Sequence, residues 1–371
     1  MPATIMRGGT SRGVVLALEA VPPAGPERDR FLVSLMGSND LGQTDGFGGN
    51  TSTTSKVMMV GHEPIDGDIP YLFAQVDPRN PVVDYGGNCG NMTSAVALYA
   101  VLEGLAPRTP PSSQFTLFNL NTDTRVRAQV PTSEDGPTST GDFRIAGISA
   151  PGPEIITEYL TPAGRAGHFP TGRPKETLRV PSLGEILVSI VDVSSPLVFV
   201  RPTDVGLAGT ELPAEIDGDT ALLDRLEAIR SAAALELGLV ERAANATRLS
   251  PGIPKLAMVS APTEYQTTLG QPVAEEQIDV VARIMSVQRA HHAYAMTGAL
   301  CTAAATTLEG TLPNEAAPMS SGSIRIGHPK GVTTVGVVTE PGETGTRIKS
   351  VAVSRTARCL MRGLIEPRIS S

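Results

Sequence analysis

The sequence contains no tryptophan, and aromatic residues make up only 4% of its 371 residues. Glycine and proline are plentiful instead, at 38 and 31 residues, which favours short elements joined by tight turns over long helical bundles. Hydrophobic residues make up 40% of the chain, enough for a substantial core, and the length favours two domains. We therefore expect a strand-rich globular protein.

Cysteine is also scarce. The three cysteines, Cys89, Cys301 and Cys359, form no C-x-x-C pair, so neither a disulfide framework nor a structural zinc site is expected. The N-terminal residues lack a basic segment followed by an apolar run, and no stretch approaches the roughly 20 apolar residues of a transmembrane helix. These features predict a cytoplasmic protein with no membrane partner.

An excess of positive charge is lacking as well, since the formal net charge is −8 at pH 7. Without a basic arm, nucleic acids and anionic membranes are disfavoured as partners, whereas a small anion can still bind at a local site. The phosphate-binding patterns G-x-x-x-x-G-K-[ST] and G-x-G-x-x-G do not occur, so nucleotide binding is unsupported. The histidines lack the i, i+4 spacing of a zinc pair, and no metal site is predicted.

Hydrophobic periodicity predicts the secondary structure. Strands are expected near 2 to 6, 13 to 19, 56 to 61, 71 to 76, 115 to 120 and 124 to 130. Helices are expected over 27 to 36, 91 to 103, 219 to 237, 275 to 287 and 297 to 308. For the helix over 219 to 237, Asp217 and Asp219 are the candidate N-caps.

A Pro- and Gly-rich connector over 161 to 175 precedes a return to apolar strands, which places the domain boundary near residue 181. The predicted domains are 1 to 181 and 182 to 371, and the C-terminal segment is free to pack back on the first.

A faint repeat relates 4 to 19 with 189 to 202, and 91 to 104 with 297 to 310. Two matches in the same order indicate duplicated halves. Cys89 then aligns with Ala295 or, after a slip of one residue, with Met296.

The stretch "DYGGNCGNMTSAVALYA", residues 84 to 100, places Cys89 between two Gly-Asn pairs and just before a small-residue apolar helix. The glycines let the backbone approach a ligand closely. A helix that starts near Asn91 directs its unpaired amides and its positive dipole end at the thiol, which favours a thiolate and a bound carboxylate. Cys89 is thus a candidate proton donor or acceptor, and an inert buried cysteine is the alternative.

A second candidate ends the glycine- and hydroxyl-rich loop "GFGGNTSTTSK", residues 46 to 56. The chain has five lysines among its 30 basic residues, and Lys56 lies where this loop enters an apolar strand. A desolvated lysine loses its proton more easily and can act as a general base, while a charged one can pair with a carboxylate. A solvated loop lysine is the alternative.

The turn in "MRGGTSRGVVL", residues 6 to 16, is the third candidate. Its hydroxyls and amides can bind carboxylate oxygens, and Arg7 or Arg12 can add a bidentate contact. A turn of this kind also needs no function.

Together these stretches resemble the PrpF family of 2-methylaconitate isomerases and related tautomerases, relatives of diaminopimelate epimerase. The resemblance covers most of the chain and rests on seven ordered motifs: "MRGGTSRG" (6 to 13), "GGNTSTTSK" (48 to 56), "GGNCGNMTSAV" (86 to 96), "IPKLAMVSAP" (253 to 262), "HHAYAMTGALCTAAA" (291 to 305), "IRIGHPKG" (324 to 331) and "SRTARCLMRG" (354 to 363).

The resemblance implies an α+β fold of two similar halves, each a β-sheet wrapped around a central helix, with the active site in the cleft between them. It implies a double-bond shift or cis/trans isomerisation of unsaturated di- and tricarboxylates, without a metal or organic cofactor. The motif match assigns catalysis to Lys56 and Cys89. Substrate contacts are expected at Ser11, Asn50, Thr51, Ser55, Asn88, Gly90, Asn91, Met92, Met296, Thr297 and Gly298.

The residues leave several alternatives open. The leading hypothesis is an allylic isomerase of an aconitate-like polycarboxylate, against a keto-enol tautomerase of the oxalomesaconate type and a non-catalytic accessory protein for an aconitase. The identity of the polycarboxylate stays open, as does the choice of whether Lys56 or Cys89 removes the proton. A monomer and a homodimer are both compatible with the sequence.

Overall fold

The computed structural model describes residues 1–38, 40, 42–164, 166–181, 183–319, 322–342 and 345–366. The chain forms two compact units, one of Met1–Leu160 with Ser354–Ser371 and the other of Thr161–Val353. The predicted boundary near residue 181 lies inside the second unit.

Within the described residues, the first unit contains nine strands and two α-helices before the chain leaves it. They are β1 (Pro2–Gly8), β2 (Ser11–Ala17), α1 (Pro26–Met36), β3 (Lys56–Val60), β4 (Ile69–Val76), β5 (Val83–Asp84), α2 (Gly90–Leu102), β6 (Ser112–Asn119), β7 (Thr124–Ser133), β8 (Gly136–Pro137) and β9 (Ile155–Leu160).

The second unit carries most of the remaining elements. They are β10 (Glu176–Val180), β11 (Gly184–Asp192), β12 (Pro196–Val200), α3 (Pro213–Gly218), α4 (Thr220–Glu236), α5 (Ala246–Leu249), β13 (Lys255–Ser260), β14 (Tyr265–Gln266), β15 (Pro272–Val273), β16 (Val280–Ser286), β17 (Arg289–Ala290), α6 (Met296–Thr306), α7 (Leu312–Ala316), β18 (Gly322–His328), β19 (Gly331–Gly342) and β20 (Gly345–Arg355). The chain then returns to the first unit as β21 (Ala357–Leu364), which pairs with β1.

The two units repeat one strand arrangement. In the first, β21, β1, β2, β3, β4, β6, β7 and β9 lie side by side, and only the β2–β3 and β4–β6 pairs among them are parallel. In the second, β10, β11, β12, β13, β16, β18, β19 and β20 follow the same pattern, with β12–β13 and β16–β18 parallel. The faint sequence repeat therefore corresponds to β1, β2 and α2 in one unit and β11, β12 and α6 in the other.

Each unit has a buried helix against its sheet. Every residue of α2 from Gly90 to Val101 is buried, as is every residue of α6. A helix that is apolar on all sides belongs in a core, and its small side chains let strands approach closely. Helix α2 packs against β1, β2, β3, β7, β9 and β21, and α6 packs against β11, β12, β18 and β19. The predicted α+β fold with a central helix in each half is confirmed.

A second helix covers the other face of each sheet. In the first unit, Phe31, Leu32 and Leu35 of α1 share a hydrophobic cluster with strand residues that include Val57 and Met59. In the second unit, α4 supplies the corresponding cluster. Of the two predicted N-cap candidates, Asp219 caps α4, because its carboxylate accepts from the Leu222 amide at 2.9 Å. Asp217 instead accepts from the Ala290 amide at 2.9 Å.

The prediction of a helix over 275 to 287 is wrong. A short 3-10 turn spans Glu275–Gln277, and strand β16 follows over Val280–Ser286. This strand lies between β13 and β18 and is buried along its whole length. A strand buried on both faces has no polar alternation, so its periodicity cannot separate it from a buried helix, while its β-branched Val280, Val281 and Ile284 favour a strand.

Candidate active site

Strand alternation places Lys56 on the α2 side of the first sheet. Strand β3 is buried throughout, and its residues Val57 and Met59 pack into the cluster with α1. Because successive side chains point to opposite faces, Lys56 faces the side that holds α2. The register places it opposite Gly13 on β2 and Gln75 on β4.

Gly13 allows β2 to approach β3 closely at this point. A Cβ at residue 13 would lie 2.5 Å from the Lys56 carbonyl oxygen, shorter than van der Waals contact allows. Any larger residue would push the start of β3 away from β2, so Gly13 helps to define the position of Lys56.

The Lys56 amine is almost entirely removed from water. The residue is 7% exposed, and Nζ donates to Gln75 Oε1 at 2.6 Å and lies 5.2 Å from the centre of the Phe73 ring. Burial lowers the pKa of Lys56, while Cys89 opposes this shift through its charge and a hydrogen bond. The structure thus brings together the amine and the thiol that the sequence singles out, although they are separated by more than thirty residues along the chain.

Cys89 is the N-cap residue of α2. Its backbone is extended, with φ −120° and ψ 93°, and its carbonyl accepts the first helical hydrogen bond from the Thr93 amide at 2.9 Å. The amides of Gly90, Asn91 and Met92 lie in the first turn, where no intrahelical acceptor is available. An anion beside the Cys89 sulfur would therefore meet donor groups and the positive end of the helix dipole.

A buried polar cluster holds the residue before the thiol. Asn88 Oδ1 accepts from the Cys89 amide at 2.7 Å, and Asn88 Nδ2 donates to the Tyr71 hydroxyl at 3.1 Å. This hydroxyl also accepts from Asn119 Nδ2 at 2.9 Å and contacts Thr93 Oγ1 at 3.3 Å. Burial raises the pKa of Tyr71 to about 12, so the phenol stays neutral near pH 7. The cluster fixes the backbone at Cys89.

The loop before Lys56 is folded around Gln43. The Ser55 hydroxyl donates to Gln43 Oε1 at 2.9 Å, and Gln43 Nε2 donates to the Met36 carbonyl at 3.0 Å. Ser55 is fully buried, whereas Asn50 and Thr51 are exposed. Asn50 has φ 63°, a left-handed conformation that asparagine tolerates better than most residues. Of these three predicted contacts, Ser55 lies beside Lys56 in the chain and supports the loop.

The turn that carries Ser11 is tied to the start of α2. Asn91 Nδ2 donates to the Thr10 hydroxyl at 3.1 Å, and Ser11 is buried. Arg7 donates to the carbonyls of Gly9 and Thr356, each at 2.9 Å. Arg12 reaches the Gly48 carbonyl at 3.4 Å. Both arginines therefore contact backbone carbonyls, which links the turn to its surroundings.

The sequence is similar to known proteins along nearly its whole length. The family model described as PrpF protein matches residues 1–367.

The chain belongs to the PrpF family.

Named relatives of this PrpF family member match along nearly all of its length. It is 38% identical to the 2-methyl-aconitate isomerase of Shewanella oneidensis, covering 98% of this chain and 96% of that protein. It is 33% identical to the 4-oxalomesaconate tautomerase of Pseudomonas putida, covering 98% and 95%. The crystal structure of a methylitaconate-delta-isomerase is 34% identical, with a TM-score of 0.77 over 98% of this chain and 94% of that one. The predicted family and enzyme class are confirmed.

In this PrpF family member, the predicted contacts of the second half lie at the start of α6. Met296, Thr297 and Gly298 form its first turn and are buried. The N-cap of α6 is Ala295, as Cys89 is the N-cap of α2. Of the two alignments considered for Cys89, the helix caps therefore match it with Ala295, and the second unit has a methyl group where the first has a thiol.

Several residues that shape the site were missed by the sequence-based prediction. Gln75, Tyr71, Asn119 and Gln43 make the contacts described above. A partial signal existed for Gln75, because it is a polar residue near the end of the apolar strand "IPYLFAQV". The others are recognisable only once their partners are known.

Two further features concern the described part of the chain. Within it, no group of three or more His, Cys, Asp or Glu side chains is placed to hold a metal ion. None of the helices within the same residues is long and apolar enough to cross a membrane.

Proposed function

We propose that this protein isomerises an unsaturated di- or tricarboxylate of the 2-methylaconitate or aconitate type by transferring a proton along an allylic system, using side chains as the acid and base. The observation that carries the proposal is the buried Lys56 amine beside the Cys89 thiol at the N-cap of α2. The activity named for the relative from Shewanella oneidensis supports it.

The residue types suit this chemistry. One group removes a proton from the carbon next to the double bond, and the electrons of the broken C–H bond form a dienolate that spreads onto a carboxylate. Protonation at the far carbon of the allyl system forms the new C–H bond and leaves the double bond shifted by one position. Lys56 and Cys89 share these two transfers, and the pose of the substrate determines which acts first.

The start of α2 would stabilise the dienolate. Charge developing on carboxylate oxygens can be met by the amides of Gly90, Asn91 and Met92, which are already oriented in the helix and need no rearrangement. We assign Ser11, Asn88 and Ser55 to shaping this side of the site. In the second unit we assign Met296, Thr297 and Gly298 to the substrate.

A keto-enol tautomerase of the oxalomesaconate type is the second candidate. It uses the same two proton transfers with a ketone beside the migrating proton, and the relative named 4-oxalomesaconate tautomerase favours it. The accessory-protein hypothesis loses support, because the relatives compared above are named as isomerases or tautomerases.

The test is a substrate panel with matched variants. Purified protein is incubated with methylaconitate, aconitate, methylitaconate and oxalomesaconate, and turnover is followed by ultraviolet absorbance and by proton NMR in deuterated water. Lys56→Ala and Cys89→Ala should each lose about 100- to 10,000-fold in rate, as expected for a general acid or base. Lys349→Ala and Cys359→Ala are the controls, since Lys349 is exposed and Cys359 is half-buried on β21.

The outcomes are distinct. Deuterium at the allylic carbon of one acid identifies the substrate class, and exchange only beside a ketone selects the tautomerase. Full activity of Lys56→Ala or Cys89→Ala on the acid that the native protein converts would overturn the assignment of the acid and base.

We further propose that the protein works in the reducing cytoplasm, because its three cysteines are all free thiols. A monomer and a homodimer remain the two candidate states, and light scattering on the purified protein distinguishes them.

A further inference from the structure

Lys56 and Gln75 are direct cross-strand partners. They lie opposite each other in the register of β3 and β4, and side chains at such positions project from the same face of the sheet. Both are buried, at 7% and 8% exposure. The 2.6 Å contact between Nζ and Oε1 therefore follows from strand pairing and is protected from water.

The orientation of the Gln75 amide is defined by the backbone. Its Nε2 donates to the Ser55 carbonyl at 2.9 Å and to the Val76 carbonyl at 3.3 Å. A flipped amide would place its oxygen against these two carbonyls and its NH₂ group against the Lys56 amine. Hydrogen-bond complementarity thus requires Oε1 to face Lys56.

Among the described residues, few titratable side chains lie on the elements beside Lys56. On β2, β4 and α2 they are Arg12, Tyr71 and, at the two ends of α2, Cys89 and Tyr99. The charged residues of α1, which are Glu27, Arg28, Asp29 and Arg30, belong to the helix on the opposite face of the sheet. Cys89 is the one whose charge acts on Lys56. Asp84 on β5, opposite Gln75 in register, accepts from the Gly86 amide at 2.7 Å.

A neutral acceptor has a different effect from a carboxylate at the position of Gln75. A buried carboxylate at hydrogen-bond distance would form an ion pair and hold the proton on the amine. An amide oxygen orients the amine but binds the ammonium less strongly, and the Phe73 ring is likewise an uncharged neighbour. A residue that must gain and lose a proton in every turnover needs an uncharged hydrogen-bond partner.

We propose that Gln75 is a positioning residue that directs the Lys56 amine with a neutral acceptor, so that Lys56 can both take up and release a proton during catalysis. This inference rests on the proposed function for its catalytic consequence. Its effect on the ionisation of Lys56 does not depend on any substrate.

The direct test is a titration of Lys56 by NMR. With only five lysines in the chain, ¹³Cε-lysine labelling yields few signals, and Lys56→Arg identifies that of Lys56. Gln75→Glu should move the Lys56 midpoint up by about 1 to 3 pH units, the usual effect of a nearby opposite charge. The limb of the pH–rate profile that belongs to Lys56 should move in the same direction, with kcat falling more than KM rises.

Two further variants complete the design. Gln75→Met keeps the length but removes the acceptor, so the Lys56 midpoint should fall and kcat should drop with KM nearly unchanged. If Gln75→Glu does not fold, this variant still decides the question. Gln114→Glu, on the exposed side of β6, adds the same charge away from the site and should leave the midpoint and kcat unchanged.

The two proposals fail separately. If the Lys56 midpoint does not respond to either Gln75 variant while Lys56→Ala is inactive, the role of Gln75 is overturned and the proposed function stands. If the midpoint responds but Lys56→Ala remains fully active, the proposed role of Lys56 as acid or base is overturned and the electrostatic part of the inference stands.

Discussion

Gly9 is the position where a single methyl group should be most informative. It has φ +50°, and a Cβ there would lie 2.0 Å from Asn91 Oδ1, far inside van der Waals contact. The variant Gly9→Ala therefore combines backbone strain with a collision. Asn91 would have to move, and its hydrogen bond to Thr10 would be lost.

The magnitude follows from these two contributions. An alanine in the left-handed region costs roughly 1 to 2 kcal/mol, and a lost hydrogen bond costs about 0.5 to 1.5 kcal/mol. The free energy of unfolding should fall by about 2 to 3 kcal/mol, and the melting temperature by about 4 to 12 °C for a unit of this size. Activity should fall as well, since Asn91 lies in the first turn of α2 next to Cys89.

The assay is thermal unfolding followed by circular dichroism, with Gly104→Ala as the matched control. Gly104 has φ +73° but no atom within 4 Å of its Cβ position, so its replacement measures backbone strain alone. Gly9→Ala should lose about twice as much stability as Gly104→Ala. Equal losses would refute the view that close packing of the turn against Asn91 requires glycine.

Three other predictions concern the stability of the fold. Lys56→Met should raise the melting temperature near pH 7, because folding lowers the pKa of Lys56 and the protonated lysine therefore destabilises the folded state at pH values below its folded pKa. The gain should shrink as the pH rises toward about 10, where the unfolded lysine also loses its proton, and a gain independent of pH would contradict the linkage. Tyr71→Phe removes the hydroxyl that Asn88 and Asn119 contact, and urea titration should show a loss of about 2 to 4 kcal/mol; a loss below about 0.5 kcal/mol would count against a structural role. Asp219→Ala should cost about 1 kcal/mol as a lost N-cap, which a thermal melt should distinguish from a smaller effect of the exposed Asp224→Ala.

Local pattern was sufficient for much of the fold. The strand at 56 to 61 and the helices at 27 to 36, 91 to 103 and 297 to 308 were predicted within about two residues of their observed bounds, which is the usual uncertainty of element ends. The misassigned β16 shows where pattern stops being informative, since burial of both of its faces removed the polar alternation. Its strand character depends on β13 and β18 beside it, which a window of sequence does not contain.

The residues of the candidate site were likewise predictable from the sequence only in part. Residue chemistry made Lys56 and Cys89 candidates, because a rare lysine at a loop end and a thiol among glycines at a helix start are local features of the chain. The family resemblance then assigned catalysis to them. Gln75, Tyr71 and Asn119 were not predicted, since each acts through a partner on a different strand or helix. Strand register brings Gln75 to the Lys56 amine.

By itself, the sequence indicated Lys56 and Cys89 as candidates for proton transfer and predicted most of the helices and strands of the first unit, since both kinds of signal depend on neighbouring residues in the chain. Only the tertiary structure decided that the amine and the thiol lie together, which neutral groups orient them, and which strand follows which in each sheet. The physical reason is that burial and hydrogen-bond pairing arise between segments distant in the chain, and these contacts determine the ionisation of Lys56.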